Sequence, residues 1–254
     1  MVDAVNELAG KVAIVTGSAR NIGRATAVEL ARAGAALVIN ARQSRDLCEE
    51  VAQEIIDLGG RALPYVADVT DSGAVNDMVT ATIAEFGSID ILVNNAATRN
   101  TAPFEEMDLE NWNNALGVAL HGAFLMSRAC VSEMIRRGGG AIIGVGGMSS
   151  HRGTPGRSHI MVSKSGLAAL MRGLALDLGK YAIRANSVIV GSFDTEREGS
   201  SSVVPTFDRD LDIPLGRKGV PQDIANLIRF LVGPGGSYIS GQTIHCNGAA
   251  YCPM

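Results

Sequence analysis

Short apolar runs alternate with stretches of helical periodicity along nearly the whole chain. Lys11 to Thr16 (KVAIVT) is apolar and β-branched, and a helical pattern follows from about Ile22 to Ala33, stopped by Gly34. Ala36 to Asn40 predicts the second strand. In Ser44 to Leu58 the residues Leu47, Val51, Ile55 and Leu58 recur at helical spacing; Ser44 is placed to cap this helix and Gly59-Gly60 to end it. Further strands are predicted over Ala62 to Ala67, Ile89 to Asn94, Ala141 to Val145, Arg184 to Val190 and Thr243 to Cys246. The intervening helices are expected over Asp71 to Phe86, Leu109 to Leu116, Val118 to Arg137, Arg157 to Tyr181 and Pro221 to Val232.

Strands that alternate with helices build βαβ units, so the expected fold class is α/β, a doubly wound and mostly parallel sheet. The strands read as continuous apolar runs, as strands covered on both faces do. No linker or compositional shift divides the chain, and residues 1–254 are expected to form one domain. Gly191 to Pro214 is the exception to the pattern: polar, irregular and too long for an ordinary connection. It follows the C-terminal end of a strand, where ligands of open α/β sheets bind, and is expected to act as a substrate loop or lid.

Composition narrows the function. The 254 residues are 46% hydrophobic with a net charge of −4, and the Arg and Lys residues are scattered. Nothing here favours nucleic acid or an anionic membrane as partner. No apolar run reaches the roughly 18 residues of a membrane span, and the N-terminal MVDAVNELAGK lacks the features of a secretory signal. Cys48, Cys130, Cys246 and Cys252 form no CxxC pair and read as reduced thiols, so a cytoplasmic location is expected. His121, His151, His159 and His245 have no metal-ligand spacing, and no metal is expected.

The first strand–turn–helix reads Thr16-Gly17-Ser18-Ala19-Arg20-Asn21-Ile22-Gly23. Glycines at such a turn let a pyrophosphate approach backbone amides at a helix N-terminus. The spacing resembles the TGxxxGxG turn of the short-chain dehydrogenase/reductase family. Four further segments match that family: Asp68-Val69, Asn94-Asn95-Ala96, Ser163-Lys164-Ser165-Gly166, and Asn186 to Gly191 with Thr195. The ending Ser237 to Gln242 matches as well, so the resemblance covers essentially the whole chain and lies nearest the 3-oxoacyl-carrier-protein reductases. It implies a Rossmann fold, a dinucleotide cofactor and a small carbonyl or alcohol substrate. It further implies that Asp68 holds the adenine amino group, that Asn94 lies on the adenosine ribose side and that Thr195 meets the nicotinamide amide. Asn21 replaces the family's usual glycine, and Asn is the side chain that best tolerates a positive φ.

Charge argues the cofactor choice. NAD sites place a carboxylate after the second strand, whereas a 2′-phosphate needs cations. Here that segment is Ile39-Asn40-Ala41-Arg42, with no acid before Asp46, and Arg20 lies in the glycine turn. NADP is therefore expected over NAD.

The family's proton chemistry uses a tyrosine one helical turn before a lysine, a serine about thirteen residues before that tyrosine, and an asparagine on an earlier helix. Lys164 is present. The tyrosine position holds Ile160, the serine position Gly147 and the asparagine position Ala119. Isoleucine donates no proton and glycine polarises no carbonyl, and the loss of such a partner costs ~10²–10⁴-fold in rate. Candidate substitutes are Ser149, by a shift of the loop it shares with Ser150; His159, beside the tyrosine position but turned about 100° from Lys164; and His151. Arg152 at the mouth and Arg99 after the fourth strand are candidates for a carboxylate or phosphate. Lys164 itself would serve as a base if burial lowered its pKa. Three readings follow: an oxidoreductase of non-classical mechanism, a dinucleotide-binding pseudoenzyme or sensor, and a hydrolase or lyase reusing the pocket. Family members pair through the helices that correspond to Val118–Arg137 and Arg157–Tyr181. The small residues Ala168, Ala169, Gly173 and Ala175 allow close approach there, so a homodimer or homotetramer is expected.

Overall fold

In the computed structural model, residues 6–193 and 212–253 are described. Seven apolar runs form the strands β1 (Val12–Val15), β2 (Ala36–Ala41), β3 (Arg61–Val66), β4 (Ile91–Asn94), β5 (Gly140–Gly147), β6 (Ile183–Val190) and β7 (Thr243–Cys246). They pair in the order β3-β2-β1-β4-β5-β6-β7, every pair parallel. The helices are α1 (Asn21–Arg32), α2 (Arg45–Asp57), α3 (Ser72–Phe86), α4 (Leu109–Leu116), α5 (Gly122–Arg136), α6 (Ser149–Arg152), α7 (Ser158–Leu178) and α8 (Pro221–Val232).

Strand alternation divides the core. Val15, Leu37, Ile39, Val93, Ile143 and Val145 face one way and pack with Leu30 of α1, Ile55 of α2 and Ile228 of α8. Ile14, Val38, Leu92 and Ile142 face the other way, onto Met78 of α3, Met126 and Met134 of α5, and Leu167 and Met171 of α7. The inner strands β1, β2, β4 and β5 thus bury both faces and read as apolar runs, while the edge strands β3 and β7 are only partly covered.

β1 pairs with β2 on one side and β4 on the other, so the sheet's order reverses between β1 and β4. A crevice opens beyond the C-terminal ends of strands at such a point. It is fixed by a clamp. The Thr16 Oγ1 accepts from the backbone amides of Asn95 and Ala96, each at 3.0 Å, while the Asn95 Nδ2 donates to the carbonyls of Thr16 (2.9 Å) and Gly17 (3.0 Å).

Local chemistry sets the element ends. Asp71 caps α3 by accepting from the amides of Gly73 and Ala74, and Gly87 ends it at φ +82°. Asp108 caps α4 through the Asn111 amide at 2.7 Å. Ser44 sits at the N-cap of α2 but its side chain makes no capping bond, contrary to the sequence expectation. The two helices predicted after β4 are one continuous helix, in which α4 and α5 are joined by a π turn, Gly117–His121. That turn admits one extra residue per hydrogen-bonded ring and carries Ala119. The combined stretch Leu109–Arg136 is long and apolar enough to cross a membrane by length and composition alone. It packs along α3, α7 and β4 and carries Arg128, Glu133 and Arg136. β5 runs to Gly147, beyond its predicted end, and α6 was not predicted. Most of the predicted lid, with Thr195, lies outside the described residues.

Candidate active site

The glycine turn is held by its neighbours. Gly17 has φ +63°, and a Cβ there would lie 3.1 Å from the Ala96 Cα. A Cβ on Gly23 would sit 2.8 Å from the Ser18 Cα and 2.7 Å from the Asn95 Nδ2, so only glycine lets α1 start flush against the turn. Asn21 takes φ +50°, the conformation for which Asn substitutes best for glycine. Beneath the turn, Asn40 is buried. Its Oδ1 accepts from the Gly17 amide at 3.3 Å and its Nδ2 donates to the Ala67 carbonyl at 3.0 Å. The Ser18 Oγ donates to the Val15 carbonyl (2.7 Å) and accepts from the Asn40 amide (2.9 Å). Arg20, the N-cap of α1, makes no side-chain capping bond to the helix, which leaves the first-turn amides to a ligand or solvent. Arg20 and Arg42 are both exposed, and Ile22 is buried beneath the turn. This cradle of glycine, uncapped amides and flanking guanidinium groups fits a dinucleotide pyrophosphate.

Asp68 and Val69 follow β3. The Asp68 Oδ1 accepts from the amide and hydroxyl of Thr70 at 2.9 and 2.8 Å, while Val69 packs against Gly122 of α5. Asn94 ends β4 with its side chain turned inward: Nδ2 donates to the Ser127 Oγ at 3.3 Å, and Oδ1 is buried without a partner among the described residues. Gly191 follows β6; its amide donates to the Cys246 carbonyl, and a Cβ would stand 2.7 Å from the Asn247 Cα.

Lys164 on α7 is buried, 7% exposed, and its Nζ donates to the Val145 carbonyl at 2.5 Å. Burial lowers its pKa to about 8, assisted by the positive charge of Arg99. Ile160, one turn earlier, is also buried. Ala119 lines a narrow cleft with Thr16, Asn94, Gly122 and Met126. Gly147 ends β5 opposite Val190, and a Cβ there would meet a single atom within 4 Å, the Ser149 Oγ at 3.7 Å. The Ser149 hydroxyl therefore adjoins the place a residue-147 side chain would occupy. Ser150 is committed elsewhere, donating to the Gly147 carbonyl at 2.6 Å.

The two candidate histidines make contacts of their own. His159 is fully buried at the start of α7 and faces the Asn100 backbone; burial is the main cause that lowers its pKa. His151 on α6 turns towards the β7 edge. Its ring meets His245 edge-on at 4.7 Å between centroids, with Tyr251 at 6.4 Å. Burial lowers the pKa of both rings, with Arg172 adding to the effect on His151 and His151 to that on His245. This cluster joins α6 to the C-terminal stretch, and it was not visible in the sequence because His151 lies far along the chain from His245 and Tyr251. Arg152 is exposed at the end of α6, and Arg99 is exposed on the loop after β4.

The arrangement can cradle a dinucleotide and can offer one buried ammonium and one hydroxyl to a substrate oxygen. The comparisons agree with that frame. A family model described as Enoyl-(Acyl carrier protein) reductase matches residues 17–249. A 3-oxoacyl-[acyl-carrier-protein] reductase of Synechocystis sp. is 34% identical over 242 residues, 95% of this chain and 97% of that protein. A 7 alpha-hydroxysteroid dehydrogenase complexed with NADH and 7-oxo glycochenodeoxycholic acid superposes with a TM-score of 0.92 at 32% identity, covering 98% of both chains. A short chain dehydrogenase from Burkholderia cenocepacia in complex with NADP gives 0.90 at 33% identity, over 96% of this chain and 99% of that one. A parallel sheet reversing at β1/β4, a glycine cradle beside it and whole-length similarity to these proteins lead to one conclusion: the chain belongs to the short-chain dehydrogenase/reductase family of oxidoreductases.

Proposed function

We propose that this protein is an NADP(H)-dependent oxidoreductase of small carbonyl or alcohol compounds in which Lys164 replaces the family's phenol as proton partner. The observation that carries the reading is the buried Lys164 ammonium, the one polar group left among four positions where Gly147, Ile160 and Ala119 stand. An ammonium has three donors, and the Val145 carbonyl takes one. The other two suffice for a ribose hydroxyl and a substrate oxygen. Reduction of a carbonyl needs a hydride at carbon and a proton at oxygen; a bound NADPH supplies the hydride from its nicotinamide ring. Lys164 gives the proton and is left as a neutral amine, which water recharges. A pKa of about 8 suits the task, since a general acid works best when its pKa lies near the working pH. Ser149, beside the Gly147 Cα, is assigned the hydrogen bond to the substrate oxygen. His159 and His151 are given no proton role in this reading.

The cofactor-binding set is Gly17, Ser18, Arg20, Asn21, Ile22, Gly23, Arg42, Asp68, Val69, Asn94, Ala96, Lys164, Gly191 and Thr195, within one domain whose 191–214 stretch serves as the substrate loop. NADP rather than NAD is supported by Asn40 and Ala41 where an acid would bind the ribose, and by the exposed guanidinium groups of Arg20 and Arg42. The protein works in the cytoplasm as a homodimer or homotetramer. Pairing is supported by exposed Phe124 on α5, exposed Leu176 on α7, and the open space around Gly173.

Arg42→Ala should weaken NADPH binding by about 10–100-fold, the worth of a charge-assisted hydrogen bond, and change NADH binding less than about threefold. Fluorescence titration of the reduced cofactors checks this; equal losses for both would count against a 2′-phosphate contact. Sedimentation at micromolar concentration should give the mass of two or four chains, and a one-chain mass would contradict pairing. The proton assignment is read in a pH profile. The kcat/KM for carbonyl reduction should fall as pH rises through about 8, where Lys164 loses the proton it must give. The triple change Gly147→Ser, Ile160→Tyr, Ala119→Asn should raise kcat by ~10²-fold or more and move that limb, since a phenol then takes over. A wild-type profile flat from pH 6 to 10 would remove Lys164 from the proton step, and absence of any turnover with full NADPH binding would favour the pseudoenzyme reading.

A further inference from the structure

We infer that His151 and His245 form a proton-operated latch: uncharged, their rings fasten the C-terminal stretch, residues 247–253, to α6; charged, they release it. The latch does not depend on which residue gives a proton in the reaction.

The rings are joined by contact and not by a charge pair. His151 on α6 meets His245 on β7 edge-on, 4.7 Å between centroids, and Tyr251 lies 6.4 Å from the first ring and 5.5 Å from the second. The His151 Nε2 and the His245 Nδ1 are both buried, and neither has a hydrogen-bond partner among the described residues. In an imidazolium both nitrogens carry hydrogen, so each charged ring would hold a buried N–H with no acceptor. Charging both would also set two cations against each other across one ring contact. The docked contact therefore favours uncharged rings.

The surroundings add positive charge. Arg172 of α7 bears on His151, and Arg152 is exposed at the end of α6. Asp223, whose charge bears on the adjoining Cys246, is itself held by Arg217 at 2.7 Å. Burial, with these charges, keeps both rings below the ordinary histidine range. A histidine depressed in this way holds the docked state fully above its ordinary pKa of about 6.5 and loses that hold as pH falls below it.

The stretch relies on the fastening because its own conformation is strained. Ala249 takes φ +66°, a conformation that costs a residue with a Cβ. The curl closes on Asn247, whose Nδ2 donates to the Tyr251 carbonyl at 2.7 Å and whose Oδ1 accepts from the Ala249 amide at 3.0 Å. Its outer side packs on the candidate site. The Asn247 Nδ2 also lies 3.9 Å from the Met148 sulfur, and a Cβ on Gly191 would stand 2.7 Å from the Asn247 Cα. The Leu215 amide donates to the Gly248 carbonyl at 3.3 Å. Met148 directly precedes Ser149, so release of the stretch removes the support behind the residue assigned to the substrate oxygen.

Hydrogen–deuterium exchange read by mass spectrometry tests the latch on the whole chain. Peptides spanning 148–153 and 245–253 are followed at about pH 7.5 and about pH 5, each rate divided by its intrinsic value, with a β1 peptide reporting global opening. In wild type both latch peptides should exchange about 10-fold or more faster at the lower pH while β1 stays protected. The double change His151→Phe, His245→Phe keeps an aromatic pair that takes no proton, and should hold the rise within about threefold. His245→Gln, a smaller change, should at least halve it. His245→Lys places a fixed charge in the contact and should open both peptides already at about pH 7.5. The latch is overturned by a wild type without the acid-dependent rise, by a rise that β1 shares, by an undiminished rise in His245→Gln or the double variant, or by His245→Lys as protected as wild type.

Discussion

Four hydrogen bonds between the ends of β1 and β4 hold the two halves of this molecule in working register. Thr16 and Asn95 exchange side-chain and backbone contacts across the point where the sheet's order reverses, each bond between 2.9 and 3.0 Å. Sterics and polarity meet there. Gly17 and Gly23 have to be glycine because Ala96, Asn95 and Ser18 press against them, and Asn40 fills the space below with bonds to the glycine turn and to the end of β3. The glycine turn is therefore built from groups that hold one another, and the amides at the start of α1 face a ligand or solvent.

The chemistry proposed for the other end of the crevice turns on Lys164. β5, the Pro155-Gly156 loop and α7 still bring Lys164 to the C-terminal ends of the strands. The positions to which the family resemblance assigns the partners of that ammonium hold Gly147, Ile160 and Ala119. Dropping polar groups from a buried site does not collapse it: Ile160 packs as a core residue, and Gly147 leaves room beside Ser149. What changes is the electrostatic balance. Lys164 stands on one carbonyl, in the field of Arg99, and its proton is held less tightly than in water. The chemistry proposed for the site follows from that imbalance.

The strands and their parallel, doubly covered arrangement were legible because a doubly buried strand is a continuous apolar run and its helices bury one stripe each. The failures have local causes. β5 continues through Gly144, Gly146 and Gly147, where glycine usually ends a strand. Here Gly144 makes room for Met171 and Leu167 of α7, and Gly146 for Ile189 of β6. The π turn Gly117–His121 was hidden because it fuses two helical periodicities with one extra residue, and α6 is too short to show a period. In the site, counting along α7 puts Ile160 and Lys164 one turn apart on the same helix, and both are buried there; Ala119 falls in the π turn, where that count is interrupted. Side-chain partners were not legible by counting. His151 found His245 and Tyr251, and Asn94 at the end of β4 turned to Ser127, because those partners are set by tertiary contact and not by spacing.

The central claim is that a hydride still crosses this rebuilt site. It is tested most directly by supplying NADPH deuterated at the transferable nicotinamide C4 position with a carbonyl substrate and analysing the alcohol by mass spectrometry. The account predicts one deuterium on the carbinol carbon of the product, and its loss in Lys164→Met. Tight NADPH binding with no label in any product would contradict it.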